Sequence, residues 1–151
     1  MDAFVDIDGL SRRRAEARDV PTDGGPWILA HRPEAVGEAR RITERTLGRW
    51  HVCRETADDV LLVVSELVTN AVEHAMPPIA LRLGGGDPST GRVRVEVTDG
   101  GPAAREGEWA ASCRDGEHGR GLYVVDRLAV AHGDRCETGR ATHWADLAVA
   151  A

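Results

Sequence analysis

Val64-Ser65-Glu66-Leu67-Val68-Thr69-Asn70-Ala71-Val72-Glu73-His74-Ala75 reads as the C-terminal half of a helix that is apolar around most of its circumference. It nevertheless carries Glu66 and Asn70 four positions apart, with Glu73 and His74 one turn further on. Residues at that spacing share a helix face, so Glu66, Asn70 and His74 make one polar stripe. A buried carboxylate or amide costs free energy unless it finds a partner. The stripe therefore faces either water or a ligand.

Outward from this stretch the pattern stays regular. Upstream, Trp27-Ile28-Leu29-Ala30-His31 between Pro26 and Pro33 reads as a first strand. Pro33-Glu34 opens a helix whose Ala35, Val36, Ala39, Ile42, Thr46, Leu47 and Trp50 recur at helical spacing. Gly48 and the polar run 51–56 end it, and the central helix is predicted over 57–75, stopped by Pro77-Pro78. Downstream, strands are expected over 79–83 and 92–98, the latter strictly alternating, with a turn at Gly84-Gly85-Gly86-Asp87-Pro88 between them. The second strand runs into Asp99-Gly100-Gly101-Pro102. A polar loop over 103–118 follows. Gly119-Arg120-Gly121 then opens a helix over 122–129, and a hairpin over 131–136 and 141–149 closes the chain. This order predicts an α+β fold: a mostly antiparallel sheet with helices on one face. Residues 1–25, with Arg12-Arg13-Arg14, read as a flexible N-terminal arm before a domain spanning 26–151.

Composition narrows the function. At 151 residues, 42% apolar and 29% charged, the chain suits one globular domain with a core of its own. The net charge of -6 argues against a general nucleic-acid or membrane binder. All 19 Lys and Arg positions are Arg, which excludes a Walker-type P-loop and any catalytic lysine. Cys53, Cys113 and Cys136 show no C-x-x-C spacing, and no secretory h-region stands at the N-terminus. Reduced thiols in a cytoplasmic protein are the expectation. No apolar run approaches the roughly 20 residues of a membrane span.

Six places could carry chemistry. Glycines at the start of a helix let backbone N–H groups close on phosphate, although a glycine hinge would read the same way. Asp99, ending the best strand, can accept a hydrogen bond from an exocyclic amine while the following glycines leave room for a flat ring. A plain Asp-Gly turn is the alternative. Asn70 can offer Mg²⁺ its single protein oxygen. Glu66 stands one turn back, where it could accept a proton. His74 suits the C-terminal helix dipole for structural reasons alone, and Thr142 on the last strand could reflect β-propensity only.

Taken in order, E-x-x-x-N on a helix, D-x-G after a strand, a polar loop, G-x-G-L opening a helix and a late-strand Thr resemble the GHKL, or Bergerat-fold, ATP-binding superfamily. That superfamily includes DNA gyrase, Hsp-type chaperones, histidine kinases and mismatch-repair ATPases. The stretch 65–75 and Gly119-Arg120-Gly121-Leu122 look closest to the anti-sigma-factor serine/threonine kinases and their single-domain actinobacterial relatives. The resemblance implies a two-layer α/β sandwich binding ATP and Mg²⁺. In it Asn70 would coordinate Mg²⁺ and Glu66 would be the catalytic base. Asp99 would bind the adenine amine, with Thr142 supporting it through water, and Gly101 would make room for the base. Gly119 and Gly121, in a box with Arg120 and Leu122, would meet the phosphates, and 103–118 would be the lid. Two departures stand out: Ala103 replaces the second glycine of D-x-G-x-G, and Ala141 intervenes before Thr142.

The chain has no lysine to contact phosphate and no second domain or phospho-accepting helical hairpin is legible in it. The gyrase-like and sensor-kinase branches are therefore disfavoured. The branch that remains implies phosphoryl transfer from Mg·ATP to a Ser or Thr hydroxyl of an anti-anti-sigma partner, with a sigma factor as a second ligand and a homodimer as the assembly. The competing reading is a catalytically inactive, nucleotide-gated protein-binding module. Glu66 separates the two, because a pure binder would tolerate Gln there.

Overall fold

The computed structural model of the chain describes residues 25–85, 91–102 and 120–150. The expected lid, Gly119, Gly86-Asp87-Pro88 of the expected turn, and all of the expected arm except Gly25 lie outside the described residues. The elements are β1 (Trp27–Leu29), α1 (Glu34–Arg49), α2 (Arg54–His74), β2 (Ile79–Gly85), β3 (Arg92–Asp99), α3 (Arg120–Leu128), β4 (Ala131–Glu137) and β5 (Arg140–Ala148). Helix α2 starts three residues before the expected 57, because extended Cys53 serves as its N-cap.

The strands form one five-stranded sheet in the order β1-β2-β3-β5-β4, and each neighbouring pair is antiparallel. On β3 the buried positions are Val93, Val95, Val97 and Asp99, which the period-2 alternation places on one face. Their partners on β5, in register, are Leu147, Ala145, His143 and Ala141. That face carries the helices. Helix α2 lies across β2, β3 and β5, α1 touches β1, and α3 touches β4, so α1 and α3 flank α2 on opposite sides. The core joins Val60, Val63, Val64, Leu67 and Val68 of α2 to Leu81, Leu83, Val93, Val95, Val97 and Leu147 of the sheet. Each such burial contributes roughly 1.5–3 kcal/mol before the entropy of ordering is set against it.

Both ends of α2 are tied down. At its start, Thr56 Oγ1 accepts a hydrogen bond from the Ala150 N–H at 3.0 Å. At its end, the Met76 N–H donates to the Gly101 carbonyl at 2.6 Å and the Gly100 N–H to the Met76 carbonyl at 2.7 Å. Ala75 and Pro102 form a β-bridge, and His31 Nε2 donates to the Ala75 carbonyl at 2.7 Å. The chain passes so close here that a Cβ on Gly100 would run into the Pro77 carbonyl and lie 3.0 Å from the Met76 carbonyl. Only glycine fits.

Of the described cysteines, Cys53 is free and exposed. Cys136 is disulfide-bonded, which corrects the expectation of reduced thiols at that position. No helix among the described residues is long and apolar enough to cross a membrane.

Candidate functional site

The tie between α2 and β3 brings the two strongest sequence features to one end of the molecule. Asn70 sits one turn before the end of α2, and Asp99 ends β3 just before the glycines that hold Met76. Asp99 is 3% exposed. Its Oδ1 accepts the Gly101 N–H at 2.8 Å, an Asx-type turn that sets Gly101 at φ +98°, a backbone conformation natural to glycine. Gly101 is buried, and a Cβ there would come within 3.5 Å of Gly139 in the β4–β5 turn. That hairpin turn therefore stands at the same end of the sheet.

The second oxygen of Asp99 meets a residue that the sequence reading passed over. His143 Nε2 lies 3.2 Å from Asp99 Oδ2, and His143 Nδ1 lies 2.7 Å from Asp134 Oδ1 on β4. Burial alone would lower the pKa of this imidazole. The hydrogen bonds to Asp134 and Asp99, and the charges of both carboxylates, outweigh burial and raise it to about 9. The ring is thus an imidazolium near neutral pH, and both nitrogens donate.

Thr142 is not brought to Asp99. It pairs across the sheet with Thr98, on the face away from the helices, and the two hydroxyls are hydrogen-bonded at 3.1 Å. The residue directly opposite Asp99 is Ala141. A shift of one residue along a strand exchanges the faces, so the neighbours of Thr142 occupy the side where a hydroxyl was expected. The outer face carries instead a polar cluster. Arg94 holds Asp146 through Nε at 2.7 Å and Nη2 at 2.9 Å, and its guanidinium stacks 4.4 Å from the centroid of the Trp144 ring.

On α2, Glu66 and Asn70 are both half-buried. Arg40 of α1 reaches Ser65 Oγ at 2.7 Å, which marks the flank of α2 that faces α1. Helical spacing puts Asn70, with Glu66 one turn back, on the other flank, along which α3 runs. His74 is exposed and lies 3.6 Å from Glu73. Arg120, Gly121 and Leu122 open α3. The helix runs from there towards the far end of the sheet, where the Val130 N–H donates to the Asp146 carbonyl at 2.8 Å.

This donor and acceptor set fits a purine nucleotide. Each carboxylate oxygen of Asp99 can accept two hydrogen bonds and has one partner among the described residues, leaving lone pairs for an exocyclic amine. Gly101 puts no Cβ beside it, and a helix N-terminus such as that of α3 suits phosphate. The half-buried Asn70 amide is an oxygen of the kind Mg²⁺ accepts beside phosphates and waters.

Comparison with known proteins bears on the family and the fold. Residues 29–142 match the histidine kinase-like ATPase domain family. The fold is similar to the RsbU and RsbW domains of Rv1364c from Mycobacterium tuberculosis, with a TM-score of 0.61 at 19% identity. That alignment covers 82% of this chain and 31% of that one, so this chain spans about a third of that protein. It is also similar to the SiaB-SiaC complex from Pseudomonas aeruginosa, with a TM-score of 0.61 at 14% identity over 93% of this chain and 98% of that one. No curated protein matches the sequence.

Proposed function

The chain belongs to the histidine kinase-like ATPase family, and on that premise we propose that it binds ATP with Mg²⁺ and phosphorylates a partner protein on Ser or Thr. The observation that carries this reading is the junction at Ala75–Met76. It fixes a buried carboxylate, Asp99, beside the end of the helix that bears Glu66 and Asn70. Asp99 accepts the adenine amine and Gly101 lies under the base. Gly119 and Gly121, with Arg120 and Leu122, receive the phosphates, and Asn70 holds Mg²⁺. When bound, Mg·ATP supplies the transferable phosphoryl group and the cation that offsets its charge. Glu66 takes the proton of the partner's hydroxyl.

Likeness to an RsbW domain and to SiaB, which is solved in complex with SiaC, supports an anti-anti-sigma-type protein as the partner; a sigma factor as a further ligand and a homodimer as the working assembly complete the proposal. The test mixes purified protein, Mg²⁺ and γ-labelled ATP with a candidate anti-anti-sigma protein. Nucleotide binding is expected to fall in Asp99→Asn and Asn70→Ala, and label transfer to disappear in Glu66→Gln. Binding without transfer by the wild type would favour a nucleotide-gated binding module. Absence of nucleotide binding by the wild type would overturn the reading.

A further inference from the structure

We propose that His143 is the residue that positions Asp99 for the base, so that an imidazole on β5, and not a hydroxyl, completes the base end of the site. This rests on the nucleotide reading above and deepens it. The sheet register carries the argument: His143 shares the helix-facing side with Val97 and Asp99, while Thr142 points to the other face.

Three contacts hold the carboxylate and its clamp. Gly101 N–H fixes Asp99 Oδ1 at 2.8 Å, His143 Nε2 fixes Oδ2 at 3.2 Å, and Asp134 Oδ1 orients the imidazole from its far side at 2.7 Å. With both oxygens held, the plane of the carboxylate is set, and with it the direction of its free lone pairs. A doubly protonated ring donates to both carboxylates. A neutral ring would turn a lone pair towards one of them. Among the described residues, the charged groups facing His143 are Asp99 from β3 and Asp134 from β4. On α3 the neighbouring carboxylate, Asp126, is engaged by His132 at 3.1 Å. The surface that α2 lays on the sheet is its apolar stripe, with Glu66 and Glu73 outside it. Ala141 and Ala145, on the same side of β5, bring no charge.

The experiment measures the affinity of the full chain for Mg²⁺-free ATP and inosine triphosphate between pH 7 and 10.5, for wild type, His143→Gln, Asp134→Asn and Asp99→Asn. Wild type should weaken for ATP by about tenfold as the pH passes 9, the equivalent of one pK unit of coupling. His143→Gln should bind ATP about tenfold more weakly at pH 7.5. It should also show no such pH dependence and lose much of the preference for the 6-amino over the 6-oxo base. Asp134→Asn should keep the pH dependence but move its midpoint down, and this arm decides the matter should His143→Gln fail to fold. Wild-type affinity, base preference and pH profile in His143→Gln, or an unmoved midpoint in Asp134→Asn, overturns the proposal while leaving nucleotide binding intact. No ATP binding by wild type overturns the nucleotide reading and this inference together.

Discussion

The clamp on His143 also makes a prediction about stability that needs no ligand. The folded protein raises this imidazole from 6.5 to about 9, and each pK unit is worth 1.36 kcal/mol, about 3 kcal/mol in all. The folded value lies above the unfolded one, so folding takes up a proton over this range. The contribution is complete below pH 6.5, mostly retained at pH 7, and lost as the pH rises through 9. The side chain is 29% exposed, little enough that solvent screening leaves most of the effect in place. Urea unfolding followed by tryptophan fluorescence at pH 7 and pH 10.5 measures it. The expected result is that wild type loses about 2.5 kcal/mol more over that interval than His143→Gln does. All other groups are common to both proteins and cancel in the difference. Equal losses in the two proteins, or a wild type that gains stability with pH, would refute the argument that two carboxylates hold a buried imidazolium.

Other substitutions probe the frame around it. Gly100→Ala forces a Cβ against the Pro77 carbonyl and should cost roughly 2 kcal/mol or more in a chemical denaturation midpoint. Arg94→Ala removes both short hydrogen bonds to Asp146, which is 6% exposed. Arg92 remains 3.6 Å away, so the loss should be roughly 1–2 kcal/mol by thermal unfolding at pH 7, smaller than for a fully orphaned carboxylate. Leu67→Ala empties a core position under α2 and should cost roughly 2–5 kcal/mol on the same assay.

Much of this architecture was legible because burial imposes a period. Arg92 to Thr98 alternates strictly, and Asp99 continues the parity of Val93, Val95 and Val97, so its inward direction could be read without coordinates. The first helix followed from the spacing of Ala35, Ala39, Ile42 and Leu47, and the second from a long apolar run stopped by Pro77-Pro78. β5 hid its parity, because Ala141, Thr142, His143 and Trp144 offer no clear apolar alternation. The hydroxyl of Thr142 therefore read as part of the site, while its neighbour His143 went unnoticed. The need for Gly100 was equally invisible, since it arises from Pro77, which is distant in sequence and meets it only when β2 and β3 have paired. The partner of His143 on β4, Asp134, depends on the same cross-strand register.

The contacts at Ala75–Met76 also turn the chain between Ala75 and Pro102 into a ring, with α2's end as its seam and β2 and β3 as its two arms. A ring has a phase: its arms must be of matched length for the seam to close. Residues added between Gly85 and Arg92 lengthen the ring at the point furthest along the chain from its seam, where the entropic cost grows only slowly with length. One residue added over 76–78 instead slides Met76 away from both Gly100 and Gly101, so Asp99 and Asn70 lose their common anchor. Within this ring, tolerance to insertion should therefore be sharply polarised, permissive at one extremity and prohibitive at the other.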